Sequence, residues 1–141
     1  MIQLINRQRR RKLNPKAWHE FSETALRAIH SNESSVTIVF VSDAAIKKLN
    51  QQFRGKNDAA DVLSFPTKAE DFETDNQSHL GEVVISVERA AAQAKENGLT
   101  FSNEVEQLIL HGLLHLSGYD HETDAGEMNR LELRLRKKLG I

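Results

Sequence analysis

The stretch SVTIVFVS, Ser35 to Ser42, restricts the fold more than any other part of this chain. It is rich in β-branched residues, and its middle is apolar without a break. A strand with one wet face alternates apolar and polar residues, so an unbroken run reads as a buried central strand. Such a strand needs neighbours and a cover. IQLIN at the start, DVLSFP from Asp61 to Pro66 and LGEVVIS from Leu80 to Ser86 supply three further strands.

Helical signals fill the intervals. Asn14-Pro15 opens a helix that carries Trp18, Phe21, Ala25 and Ile29 at helical spacing. Asp43 is placed to cap a second helix, with Ile46, Leu49 and Phe53 as its buried stripe. A third runs from about Val87 to Asn97 and stops at Gly98. Ser102 is placed to cap a fourth, carrying Val105, Leu108, Ile109, Leu113 and Leu116. The last runs from about Asp124 to Leu139, with Met128, Leu131, Leu135 and Leu139 on one face. The polar segment TKAEDFETDNQSH, between the third and fourth strands, is long enough to act as a lid. With 141 residues, no repeat and no linker, the chain reads as a single α+β domain over 1–141: four strands and about five helices in layers.

Composition narrows the chemistry. Without cysteine there are no disulfides and no thiolate metal sites, and a reducing, cytoplasmic setting is the simplest reading. No apolar run approaches membrane-spanning length, and the N-terminal residues lack the apolar core of a signal peptide. The formal net charge is −1, so binding to nucleic acid requires a local patch. The densest is Arg7, Arg9, Arg10, Arg11 and Lys12, although taken alone such a run is more simply a solvated surface.

Three of the six histidines fall in HGLLHLSGYDH. His111 and His115 are one helical turn apart and share a face. Gly118 can end the helix in the left-handed conformation, and His121 follows three residues later. The pattern H-x-x-x-H-x-x-G-x-x-H gives three nitrogen ligands and leaves a fourth position for water, an arrangement suited to a catalytic Zn²⁺, one per chain. Other transition metals also accept imidazole. Protonation releases such an ion, because ligating imidazoles are neutral. Metzincin peptidases share this spacing but place a general-base Glu after the first His. Here that residue is Gly112, which argues against ordinary peptide hydrolysis. Asp120 could orient a ligand histidine or simply be solvated. Gly81 suggests close backbone approach.

HGLLHLSGYDHE resembles the signature of the YbeY family of bacterial endoribonucleases, and LNQQFRGKNDAADVLSFP and LGEVVIS resemble its second and third blocks. The resemblance covers most of the chain. It implies a small mixed sheet surrounded by helices, zinc on His111, His115 and His121, and a part for Arg54 in activity on RNA. It also implies a role in 16S rRNA maturation and ribosome quality control, with the small-subunit precursor rather than DNA as partner. Ala60 departs from the Thr common in the family, so no role attaches to it. Under this reading His111 and Arg54 are catalytic, and Lys56, Arg9, Arg10 and Arg11 are candidate RNA contacts. Read from residues alone, Arg54 and Lys56 equally suit a solvated helix C-terminus. A zinc hydrolase of another class, metallopeptidase-like, and a non-catalytic ribosome-assembly factor are the alternatives.

Overall fold

A computed structural model describes residues 1–29, 34–58, 60–67, 78–119 and 125–141. Its sheet contains β1 (Ile2–Asn6), β2 (Ser34–Val41), β3 (Val62–Pro66) and β4 (Ser78–Ser86) in the order β1-β2-β4-β3. The first three in that order run parallel, and β3 pairs antiparallel with β4 at the edge. The sheet is therefore mixed, and the strand read as central is central. Its unbroken apolar run has a direct cause. Val36, Ile38 and Phe40 pack into one core, while Val39 and Val41 pack into a second core with Ile46, Leu63 and Val84.

A short 3-10 turn (Pro15–Trp18) leads into α1 (His19–Ile29), followed by α2 (Asp43–Arg54), α3 (Val87–Asn97), α4 (Phe101–Leu116) and α5 (Glu127–Leu139). The larger core lies between the sheet and α1, α3, α4 and α5, and α2 contributes Ile46 to the smaller one. α3 begins and ends where its sequence pattern does, with Gly98 left-handed beyond it.

Two caps differ from expectation. The Ser42 hydroxyl, not Asp43, accepts from the Ala45 N–H at the start of α2 (3.2 Å). Asp43 instead ties α2 to α3, accepting from the Ser86 hydroxyl at 3.1 Å and pairing with Arg89 at 3.4 Å. At α4, Thr100 rather than Ser102 caps, accepting from Asn103 N–H at 3.1 Å. At α2 a hydroxyl and a carboxylate stand side by side and tertiary partners claim the carboxylate, whereas at α4 two hydroxyls stand two residues apart. The expected start of α5 at Asp124 and most of the candidate lid lie outside the described residues.

Phe53 also departs from its expected place. Ile46 is fully buried and Leu49 partly buried, but Phe53 is 63% exposed. The buried turn below Ile46 is taken by Asn50, whose side-chain amide donates to the Asp58 carbonyl at 2.8 Å. Among the described residues, Phe65 of the edge strand is the one aromatic ring that Phe53 meets, and no strand lies beyond β3 to cover it.

Candidate metal centre and active-site cavity

Helix α4 positions the histidines. Val105, Leu108, Ile109, Leu113 and Leu116 are buried as their spacing predicts, which leaves His111 and His115 at the margin of that face, half-exposed. Gly81 lets the end of α4 approach the sheet. Its φ is +144°, and a Cβ there would lie 2.2 Å from the Phe65 carbonyl oxygen and 3.0 Å from Leu116 Cδ2. The helix ends at Leu116, and Gly118 follows in a left-handed conformation, φ +96°.

The two imidazoles converge. His111 Nε2 and His115 Nε2 are 3.1 Å apart, with ring planes at 76°. Two nitrogens bound to one tetrahedral zinc at the usual bond length are separated by about 3.3 Å. The observed pair therefore fits a shared ion without rebuilding the helix. His121 and Asp120 lie outside the described residues, and among the described residues no group of three His, Cys, Asp or Glu forms a complete ligand set.

Sequence reasoning missed Glu132. This residue of α5 places Oε1 2.8 Å from His111 Nδ1, and its side chain is only 6% exposed. A carboxylate accepts hydrogen bonds and donates none. The proton of neutral His111 is thereby held on Nδ1, which leaves the Nε2 lone pair directed toward His115. This is the arrangement by which an outer carboxylate fixes a metal-ligating histidine. Arg136, one turn farther along α5, lies 3.6 Å from the same Glu132 oxygen and offsets the buried charge. A signal existed in the sequence: Met128, Glu132 and Leu135 form the buried stripe of α5, and a carboxylate on such a stripe needs a partner.

His111 and His115 line a cavity of about 560 Å³ together with Arg54, Asp61, Ser64 and Tyr119. Arg54 is the last residue of α2, and left-handed Gly55 turns the chain after it. Asp61 Oδ1 accepts from Val62 N–H at 2.8 Å. It is the one carboxylate residue among those lining this cavity in the described part of the chain. Burial raises the pKa of Glu106, also on α4, but that residue is not among the cavity's lining.

Other candidates do not join this cavity. Lys56 is exposed and outside its lining. Arg9 and Arg10 line a separate cavity of about 660 Å³ with Arg7 and Ser42. Arg11 lies over the Phe101 ring, 4.0 Å from its centroid. Phe101 begins α4, and His115 lies fourteen residues along it, about 21 Å away at helical rise. His79 pairs with the Ser35 hydroxyl at 2.8 Å, and His19 with Glu23 at 3.8 Å. His30 is outside the described residues.

Gly112 explains the missing peptidase base. A Cβ at this position would lie 2.6 Å from Val83 Cγ1, so the residue faces the sheet at a distance that admits no side chain. Its carbonyl accepts from the Ser64 hydroxyl at 3.2 Å, joining α4 to β3 beside the histidines. A metzincin-type Glu cannot be accommodated here.

Residues 3–140 match the profile of a family described as Endoribonuclease YbeY. An Endoribonuclease YbeY from Nautilia profundicola is 42% identical over 125 residues, covering 87% of this chain and 86% of the relative. Another from Geobacter metallireducens is 33% identical over 141 residues, covering 99% and 94%. The solution structure of a Thermotoga maritima protein superposes with a TM-score of 0.63 at 30% identity, covering 99% of this chain and 89% of that one. The match along nearly the full length, with the histidine pair and Arg54 brought to one cavity, means that this chain belongs to the YbeY endoribonuclease family.

Proposed function

We propose that residues 1–141 act as one metal-dependent endoribonuclease domain that cuts single-stranded RNA, with one zinc ion per chain on His111, His115 and His121. The cellular role we assign is 16S rRNA maturation and ribosome quality control, on small-subunit precursors in the cytoplasm. The observation that carries this reading is the convergence of Arg54, His111 and His115 on one cavity. The names of the relatives support RNA as the substrate class.

When bound, the ion supplies Lewis acidity and a water acidified to a pKa of about 7. The chain's own residues do the rest. Glu132 keeps the His111 proton on Nδ1 and orients the ring. Arg54 offers a planar, permanently charged group to the phosphate oxygens, where charge grows in the transition state. We assign the role of general base to Asp61, a carboxylate that lines the cavity, because Gly112 contributes no base. The same glycine weighs against the metallopeptidase alternative.

Untagged protein, gently purified, is expected to contain close to one zinc per chain and to cleave single-stranded RNA but not casein. A metal content near zero with no uptake of added zinc rejects the centre, and casein cleavage without RNA cleavage rejects the substrate class. Arg54→Ala and Asp61→Asn are each expected to slow single-turnover RNA cleavage at least about 100-fold, with metal content unchanged. Unchanged rates remove the residue concerned from the mechanism.

A further inference from the structure

Helix α2 reaches from one cavity to the other. Ser42, its N-cap, lines the cavity of Arg7, Arg9 and Arg10, and Arg54, its last residue, lines the histidine cavity. The 12 residues of the helix give it a length of about 18 Å. Surface charges are screened beyond about 8 Å at physiological salt, so two cationic cavities at that spacing act separately unless something links them. Lys47 and Lys48 stand near the middle of α2, and both are exposed. Lys47 and Arg54 are two turns apart on one side of the helix, with Lys48 and Gln51 beside that line. The single acid of α2, Asp43, is engaged with Ser86 and Arg89. At the far end the turn after β1 is built by Gln8, whose amide donates to Asn6 Oδ1 at 2.9 Å and to the Arg11 carbonyl at 2.8 Å. That turn holds Arg7, Arg9 and Arg10 outward, and among the described residues none of the three lies within ion-pair distance of a carboxylate.

We propose that the outer face of α2 is the path of a single RNA strand, whose phosphates are held in turn by Arg9 and Arg10, by Lys47 and Lys48, and by Arg54 at the histidine cavity. The inference rests on the RNA reading above and adds the course of the strand away from the cut. Exposed lysines on a helix are ordinary solvated charges when they stand alone. These two stand between two cationic cavities, on a helix with no free acid to oppose them. The N–H groups of the first turn play no part, since Asp43 N–H donates to Glu88 at 2.9 Å and Ala45 N–H to Ser42. The attraction comes from side chains alone and is directed to phosphate, so it sets the position of the strand without reading its bases.

The test measures binding of uncleavable 2′-O-methyl single strands, from a dinucleotide upward in length, to the metal-loaded protein at several salt concentrations. At about 3.4 Å per nucleotide, about five nucleotides cover α2. Parent affinity is expected to climb as the strand lengthens past that point and then to level off, with one strand per chain. Lys47→Gln combined with Lys48→Gln is expected to flatten the salt slope of a long strand by up to about 1.4. Dinucleotide affinity, zinc content and circular dichroism are expected to match the parent's. Lys47→Arg combined with Lys48→Arg is expected to keep the parent's slope. A parent-like slope in the glutamine variant overturns the proposal. Equal weakening of the dinucleotide and the long strand overturns it by reducing the effect to net charge. Two long strands per chain overturn it by making the cavities independent. Polyaspartate of equal charge that competes as well as RNA overturns it in favour of an acidic protein partner. If no strand of any length binds the parent, the RNA reading itself fails, and that result is distinct from a path that avoids α2.

Discussion

At the scale of single residues, the centre depends on where one proton resides. The Glu132 carboxylate accepts from His111 Nδ1 and donates nothing, so the free lone pair of the ring is on Nε2, the atom that faces His115. Replacing Glu132 with Leu preserves the bulk and removes the acceptor, and is expected to weaken zinc affinity about 10- to 100-fold in a chelator competition. Glu132→Gln keeps an acceptor oxygen and is expected to fall between parent and Leu. Parent-like affinity in both, with the fold intact, would show that the contact is packing alone. Nothing in the spacing of the histidines announces Glu132, because helical spacing describes neighbours within α4 and not the face of α5 that docks on it. The convergence of the two imidazoles was legible, since i and i+4 on a helix fix two side chains through local geometry.

At the scale of elements, the site is held by two close approaches that only glycine permits. Gly112 seats α4 on Val83 of β4, and Gly81 seats the end of the same helix near the Phe65 carbonyl. Gly112→Ala would force a methyl group to within 2.6 Å of Val83 Cγ1. Overpacking of this kind costs about 1–3 kcal/mol, so the denaturant midpoint is expected to fall, and Val83→Ala in the same chain to recover part of the loss. An unchanged midpoint in Gly112→Ala would mean that α4 can move off the sheet freely. Boundaries set by local chemistry were readable: the central strand, the span of α3 and the stop after α4. Cap identity at α2 and α4 was not, because neighbouring side chains compete for one role and distant Arg89 and Ser86 settle where Asp43 goes. The exposure of Phe53 was unreadable for another reason: helical periodicity carries no information about where the sheet underneath ends.

At the scale of the whole molecule, charge is divided between two edges. With 19 Lys and Arg against 20 Asp and Glu, the chain has no general attraction for RNA. Arg7, Arg9 and Arg10 form one cavity at the ends of β1 and β2, whereas the histidine cavity borders β3 across the sheet. If RNA spans both, each phosphate contact adds about 0.7 to the slope of log affinity against log salt. Neutralising Arg9 and Arg10 is expected to flatten that slope by up to about 1.4 and to leave zinc content alone. Arg11→Gln is expected to leave the slope unchanged, because its guanidinium is stacked on Phe101. A slope equal to the parent's in the double variant would assign the run to solvation.

The parallel pairing of β2 with β4 has a consequence for the order of assembly. The hydrogen bond between Ser35 and His79 closes a separation of 44 residues, whereas His111 and His115 are four apart on one helix. Contacts local in sequence form early and cheaply, and long-range strand pairing is slow because its chain entropy is surrendered first. The imidazole pair can thus be in place on α4 while Arg54 is still far from it. A chain can hold the two nitrogens correctly and yet have no cavity, so a well-formed imidazole pair does not certify a finished molecule.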